Sequence, residues 1–288
     1  MRRMLLYILL LFTLGAHAQV LYKVSGNSAK APSYIFATNK IVGIEFLDSI
    51  PKLLNCFTQC SVVLTEFAIQ DYEALATLRT AALLPDSIRL DRYYTTEEYQ
   101  QIDEAMQLTI GMSMDKLCRM KPSYLTAMYR NELLHKWLDY DDQRSMEAFF
   151  QAIASDKEIP VRAIDNIGET MYMLFDREPF HWQCKELLQI IEYPEREVRQ
   201  ERILAEMYRM GRLTDMSYQI LSPDNQSTQS YSDYQIYAAR NKEWVKRLRP
   251  YLVNGGAFIT LDAIYLGGEK GLLEQLRAAG YRVKSVNR

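Results

Sequence analysis

Ala257-Phe258-Ile259-Thr260-Leu261-Asp262-Ala263-Ile264-Tyr265-Leu266-Gly267-Gly268-Glu269-Lys270-Gly271-Leu272-Leu273-Glu274-Gln275-Leu276-Arg277-Ala278-Ala279-Gly280-Tyr281-Arg282-Val283-Lys284-Ser285-Val286, near the end of the 288-residue chain, decides the fold. The continuous apolar run 257–261 has the character of a strand buried on both faces. A glycine-rich turn follows, then a short amphipathic helix over 269–279, then Gly280 and a last strand over 281–286. Strand, turn, helix and strand in that order make an α/β unit, whose chemistry belongs at the carboxyl end of the strand. Asp262 and Tyr265 stand at that point.

The opposite end of the chain supplies more strands. Val20–Val24 alternates, turns at Gly26-Asn27-Ser28 and returns as a strand over 33–37, an expected hairpin. A helix is expected over Phe46–Phe57, and the β-branched run Val62-Val63-Leu64-Thr65 predicts a buried strand ending at Glu66. Between 71 and 154 the pattern turns helical. Thr95-Thr96-Glu97-Glu98 carries a capping signature, Lys121-Pro122-Ser123 restarts a helix that runs to about Leu138, and Asp141–Ala154 carries another. Ile159–Ile164 is strand-like. Residues 168–212 are helical with breaks at Pro179 and Pro194, the charged part of which predicts a solvated helix face. A polar loop is expected over Ser222–Ser232, with the glycosylation-type pattern Asn225-Gln226-Ser227, before a helix over Tyr234–Leu252. These readings give one α/β domain over 19–288. Its central mixed sheet is built from both chain ends, and a large, mostly helical insertion covers it.

The first eighteen residues have the form of a secretory signal: Arg2-Arg3, an apolar stretch over Met4–Leu14, and Ala16-His17-Ala18 as the small-x-small cleavage site. Cleavage before Gln19 is expected, with export to the periplasm or beyond. A spanning helix needs about 20 apolar residues, and no later segment reaches that length. Loss of Arg2 and Arg3 leaves 32 basic against 36 acidic side chains, a formal charge of −4. That balance argues against a nucleic-acid footprint. A hydrophobic share of 48% fits an ordinary folded protein. Cys56, Cys60, Cys118 and Cys184 all follow the leader. An oxidising compartment permits disulfides, of which Cys118–Cys184 would be the longer staple, and Cys56–Cys60, four apart on one helix face, a strained one. Free, buried cysteines are the simpler expectation. His135 and His181, the two histidines after the leader, sit in helical segments, where a lone histidine is usually a surface or hydrogen-bonded residue.

No Gly-x-Ser-x-Gly elbow is present, and Gly267-Gly268-Glu269-Lys270-Gly271 lacks the spacing and following hydroxyl of a phosphate loop. It reads as a tight strand-to-helix turn. The stretch Tyr231–Tyr237 reads as packing.

The C-terminal unit resembles the end of TraB/GumN-family proteins, the group that includes the Tiki proteases. In that family the strand leads into Gly-x-x-His-Leu-x-Gly, whose histidine is a metal ligand. Here the frame is Asp262-Ala263-Ile264-Tyr265-Leu266-Gly267-Gly268. The resemblance extends over nearly all of 19–288. Leu21–Gly26 and Pro32–Phe36 match the family opening, whose Gly-Thr-x-His has become Ala37-Thr38-Asn39-Lys40. Glu66 matches a strand-end glutamate, and Leu84-Pro85-Asp86 and Lys121-Pro122 match short landmarks. Asp165 stands for a glutamate after Ile159-Pro160-Val161, and Arg240-Asn241 with Trp244 matches Arg-Asn-x-x-Trp.

The resemblance implies a metal-dependent hydrolase site at the sheet edge, and this chain has changed both histidine positions to Lys40 and Tyr265. A protonated lysine has no lone pair, and a tyrosine must first lose a proton held to about pH 10. The expectation is therefore a degenerate site with no cofactor. Lys40 would form a salt bridge with Glu66 first and Asp262 second, and the old cleft would serve to bind a peptide, a protein or a small anion, with Lys40, Arg240 and Asn241 as binding residues. The alternative is a metal-dependent peptidase or hydrolase that holds a divalent ion on Glu66, Asp262 and Asp165, with Tyr265 as a further catalytic candidate. For Arg240 and Asn241 two roles stay open, anion binding or tethering of the C-terminal helix.

Overall fold

The computed structural model describes residues 19–68, 72–138, 145–221 and 228–286. The leader over 1–18 and the Asn225-Gln226-Ser227 pattern lie outside them. Six strands form one sheet in the order β4-β3-β5-β2-β1-β6. They are β1 (Leu21–Ser25), β2 (Ser33–Thr38), β3 (Val62–Thr65), β4 (Val161–Ala163), β5 (Ala257–Asp262) and β6 (Arg282–Ser285). β2, β5, β3 and β4 run parallel, whereas β1 is antiparallel to both β2 and β6. The chain ends thus interleave in one sheet, as expected for short apolar runs that need neighbours on each side. Because four strands share a direction, Thr38, Thr65, Ala163 and Asp262 finish at one edge.

Helices α1 (Leu53–Thr58), α2 (Tyr72–Ala81), α3 (Thr96–Ile110), α4 (Met114–Leu117), α5 (Pro122–Leu138) and α6 (Met146–Asp156) lie between β3's neighbourhood and β4 in the chain, α1 preceding β3. α7 (Ile167–Met171) runs into one π-helical turn at Tyr172–Asp176, then come α8 (Phe180–Glu192), α9 (Pro194–Arg209), α10 (Leu213–Leu221) and α11 (Thr228–Asn254). α12 (Leu272–Ala278) joins β5 to β6. The Thr95 capping box is present, with Thr95 Oγ1 accepting from the Glu98 N–H at 3.2 Å and Glu98 Oε2 accepting from the Thr95 N–H at 2.8 Å.

Three boundaries differ from the sequence reading. The expected helix over 46–57 is a 3₁₀ segment, Ile44–Ser49, followed by α1. Pro51 and a left-handed Lys52 (φ 66°) separate the two, because proline offers no N–H to a continuing helix. α11 begins at Thr228, so 228–232 are helical and not loop. The last helix begins at Leu272, because Gly267-Gly268-Glu269-Lys270-Gly271 is occupied by the turn. A Cβ at Gly267 would lie 2.4 Å from the Leu213 backbone, and one at Gly271 would lie 2.4 Å from the Leu266 carbonyl oxygen. That turn is glycine-rich because α10 and its own backbone press against it.

The register puts Tyr34, Phe36, Thr38, Val63, Thr65, Phe258, Thr260 and Asp262 on one sheet face. Phe150 of α6 packs there, its ring centroid 5.3 Å from Phe36 and 4.9 Å from Phe258, with Phe57 of α1 5.1 Å from Phe258. A second core, built from α3, α4, α5 and α8 around Ile102, Met106, Leu125, Leu133 and Leu187, lies apart from the sheet. α9 joins the two, with Val198 in the helical core and Leu204, Ala205 and Tyr208 in the sheet core. All four cysteines are free and buried, so no Cys118–Cys184 staple forms, and Cys60 donates its thiol to the Cys56 carbonyl at 3.3 Å. Among the described residues no helix is long and apolar enough to cross a membrane.

Candidate functional site

The carboxyl edge of the sheet gathers Glu66 after β3, Asp165 after β4 and Asp262 at the end of β5. One turn of α11 brings a cation among them. Arg240 donates from Nη2 to Glu66 Oε2 at 3.1 Å and from Nε to Asp165 Oδ2 at 2.9 Å, with a second bond from Nη2 to the same Asp165 oxygen. Arg240, Trp244 and Arg247 fall at i, i+4 and i+7, one face of α11. All three address Asp165, whose side chain is only 2% exposed. Trp244 Nε1 donates to Asp165 Oδ1 at 2.5 Å, and Arg247 Nη1 lies 3.6 Å from that oxygen while holding Glu169 with two bonds of 2.6 Å. A carboxylate this enclosed is costly to bury without partners, and these donors supply them.

Tyr265 is sealed into the same lattice. It is 7% exposed, stacks on Tyr237 at 4.8 Å, and lies under the Arg240 guanidinium at 4.6 Å, which also covers Trp244 at 4.4 Å. Burial, with Tyr237 and Glu66 nearby, holds its phenol well above the ordinary tyrosine range. Asn241 Nδ2 donates to the Tyr265 carbonyl at 2.9 Å and to the Lys270 carbonyl at 3.1 Å. These two bonds tie α11 to the C-terminal turn. Arg240 is likewise filled, by two carboxylates of the protein itself.

Lys40 does not pair with Glu66 or Asp262 as expected. Asn39 Oδ1 accepts from the Ile41 and Val42 N–H groups at 3.0 and 3.1 Å, a local turn that takes the chain away from the sheet edge. Lys40 then reaches α9, where Nζ lies 2.5 Å from Glu201 Oε1. Its side chain is 44% exposed and that of Glu201 10%. Lys40→Ala is therefore expected to cost about 1–2 kcal/mol, read by chemical denaturation. That lies between an exposed pair and a buried one.

Glu66 and Asp262 are linked through the backbone, the Asp262 N–H donating to Glu66 Oε1 at 3.1 Å, and Asp262 Oδ1 accepts from the Ile264 N–H at 3.0 Å. Sequence reasoning missed the third carboxylate here, Glu147, which the first turn of α6 lays over the same sheet face. No motif marks it; only the register of Thr38 with Asp262 shows why a helix above them must bring something polar. All three carboxyls are shifted upwards. Burial is the main cause for each, and the neighbouring carboxylates add to it for Glu66 and Asp262. Asp262 is pushed up to about 7.

Three clefts meet at these residues. One of about 340 Å³ is lined by Thr65, Glu66, Glu147, Thr260 and Asp262. It shares Glu66, Phe67 and Tyr265 with a cleft of about 510 Å³ that opens between the sheet edge and the helical insertion. That second cleft shares Met173 and Arg240 with a third, also about 510 Å³, beside Asp165 and Glu169. His135 and His181 lie on α5 and α8 and line none of them.

At the two positions where the resemblance calls for histidine ligands, the donor set does not fit a divalent ion. One is an ammonium bound to Glu201, the other a buried, protonated phenol. The two lattice-facing oxygens of Asp165 are taken by Arg240 and Trp244. Among the described residues, no group of three or more histidine, cysteine or carboxylate side chains is arranged to hold a metal. No curated protein and no solved structure matched the chain. The TraB/PrgY/gumN family model matches residues 20–285, and by that match the chain belongs to the TraB/PrgY/gumN family.

Proposed function

We propose that this chain is an exported binding protein of the family, in which the metal-hydrolase centre has given way to a salt-bridged lattice and the groove holds a polypeptide segment. The observation that carries this is Tyr265. Its ring is stacked and buried and its phenol is held protonated, at the position of a family ligand. The alternative hydrolase on Glu66, Asp262 and Asp165 is disfavoured by the donors that already occupy Asp165. The three clefts share walls in series, which suits an extended ligand. Their lining mixes aromatic Tyr237 and Phe175, apolar Leu78 and Met173, and charged Arg130 and Glu178, a mixture suited to a peptide more than to a small anion. Export rests on the leader over 1–18, which precedes the family match.

The test is elemental analysis of the gently purified mature chain. Less than about 0.1 equivalent of manganese, cobalt or zinc is expected, since oxygen ligands alone replace imidazole poorly for zinc-like ions. Near-stoichiometric metal that disappears in Asp262→Ala would reverse the conclusion in favour of the hydrolase.

A further inference from the structure

The side of the sheet formed by β1 and β6 carries a charge pattern that the whole-chain balance conceals. Residues 19–44, 51–65 and 275–288 contain no aspartate or glutamate, in a chain that has 36 of them. The fold brings these segments together, β1 and β2 from the first, α1 and β3 from the second, β6 from the third. Lys23 of β1 stands directly opposite Lys284 of β6, and Arg282 stands opposite Ser25, so all three side chains leave one sheet face. Like charges set opposite each other, with Cβ atoms about 4.5–5.5 Å apart, weaken a strand pair. Lys52, the residue before α1, joins them. Tyr34, the cross-strand neighbour of Lys23, donates to Gln59 Oε1 at 3.1 Å, which ties the end of α1 to this part of the face. Burial raises the thiol pKa of Cys56 in α1, and Lys52 and Lys23 both stand close enough to oppose that rise. All four cations are exposed, and among the described residues none of them forms an ion pair.

We propose that this face docks on an anionic lipid surface. Edge protection is the ordinary use of lysine on an outer strand, and it accounts for Arg282 and Lys284 on β6. It does not account for Lys23, which is on an inner strand, or for Lys52, which is on no strand at all. A single small anion is a poor match, since it needs polar groups that converge in a pocket. These cations spread over a sheet face and line none of the clefts described above. A plane of headgroup phosphates supplies separate anions at separate points, and each lysine or arginine held near it adds attraction within a Debye length. The course of the chain favours a membrane over a soluble polyanion. The apolar stretch of the leader ends at Leu14 and β1 begins at Leu21, so the strand that holds Lys23 emerges beside the bilayer through which the chain is exported. That last point rests on the export reading above; the charge pattern does not. The surface is also separate from the groove, which opens where β3, β4 and β5 end.

The test is sedimentation of the mature chain, residues 19–288, with vesicles of phosphatidylcholine alone or of phosphatidylcholine and phosphatidylglycerol in equal parts. Partitioning onto the anionic vesicles is expected to exceed that onto the neutral ones about tenfold or more at about 0.05 M salt, and to vanish at about 0.5 M salt, where exposed charges are screened. Each cation is expected to contribute about fivefold. Lys52→Gln should therefore weaken binding about fivefold, and Lys23→Gln with Lys284→Gln about twentyfold. Relief of the opposed charges should leave the circular dichroism spectrum of that pair unchanged and its melting temperature no lower, which separates lost docking from lost folding. Lys116→Gln with Lys157→Gln makes the same change in net charge on α4 and at the end of α6, away from the patch, and is expected to weaken binding less than about threefold. Equal binding to both kinds of vesicle, binding to neither, or a control pair that loses as much as the patch pair would overturn the proposal. So would inorganic polyphosphate that binds through Lys23 and Lys284 while the anionic vesicles do not, since the surface would then belong to a soluble polyanion.

Discussion

Asp165→Ala is expected to destabilise the protein by about 3–5 kcal/mol, the cost of breaking a buried ion pair by removing one member. The reason is the number of groups left behind. Arg240 loses two bonds, the Trp244 indole N–H loses its acceptor in a site that is 0% exposed, and Arg247 loses a neighbouring charge. Glu66 keeps Arg240 but not a rigid Arg240. For a chain of this size each kcal/mol moves the melting temperature by about 2–4 °C, so a drop of roughly 6–20 °C is expected by calorimetry. Asp165→Asn should cost less, because its carbonyl oxygen still serves Trp244 while its amide opposes Arg240. A melting temperature in Asp165→Ala within 2 °C of the parent would mean that the lattice contributes little.

Asp262→Asn is expected to act in the opposite direction. A carboxyl whose folded-state pKa is raised, here from 3.8 to about 7, favours folding below its unfolded value and loses that contribution as pH rises through the interval. Stability should therefore fall between about pH 4 and pH 7, and the charge is a standing penalty above that. A shift of one pKa unit corresponds to 1.36 kcal/mol. Because Asp262 borders an open cleft, solvent screening reduces the full figure to about 1–2 kcal/mol. Asparagine keeps the acceptor for Ile264 and removes the charge. The substitution should raise the melting temperature by about 2–8 °C at pH 8 and by almost nothing at pH 4. A flat difference across pH would show that Asp262 titrates normally. A group that destabilises its own fold and is nonetheless present belongs with function more than with architecture.

The central strands β2, β3 and β5 were legible because each is a short apolar run buried on both faces, and β1 was legible by its alternation. Breaks at Pro179 and Pro194 were legible for the same local reason, a missing N–H. The start of α11 was not. Residues 228–232 are polar and weak helix formers, and the helix they begin is held by Trp244, Leu248 and Leu252 in the sheet core farther along. The partner of Lys40 was illegible too. Strand-end residues were expected to converge, but the Asn39 turn carries Lys40 off the edge to a glutamate far away in sequence. Arg240, Asn241 and Trp244 stood in the family frame, and their spacing shows one helix face; what that face clasps is visible only when β4 delivers Asp165 beneath it. Glu147 carries no motif at all.

The position of α9 bears on how the molecule comes apart. Its first turns are buried in one hydrophobic core and its last turns in the other, so it acts as a single beam clamped at both ends. Loosening either core frees half of a helix that the other still needs, so the free energies of the two are not separable. The insertion is then no appendage that could be excised or melted by itself. Moving one core against the other therefore has to bend or unwind a length of regular helix.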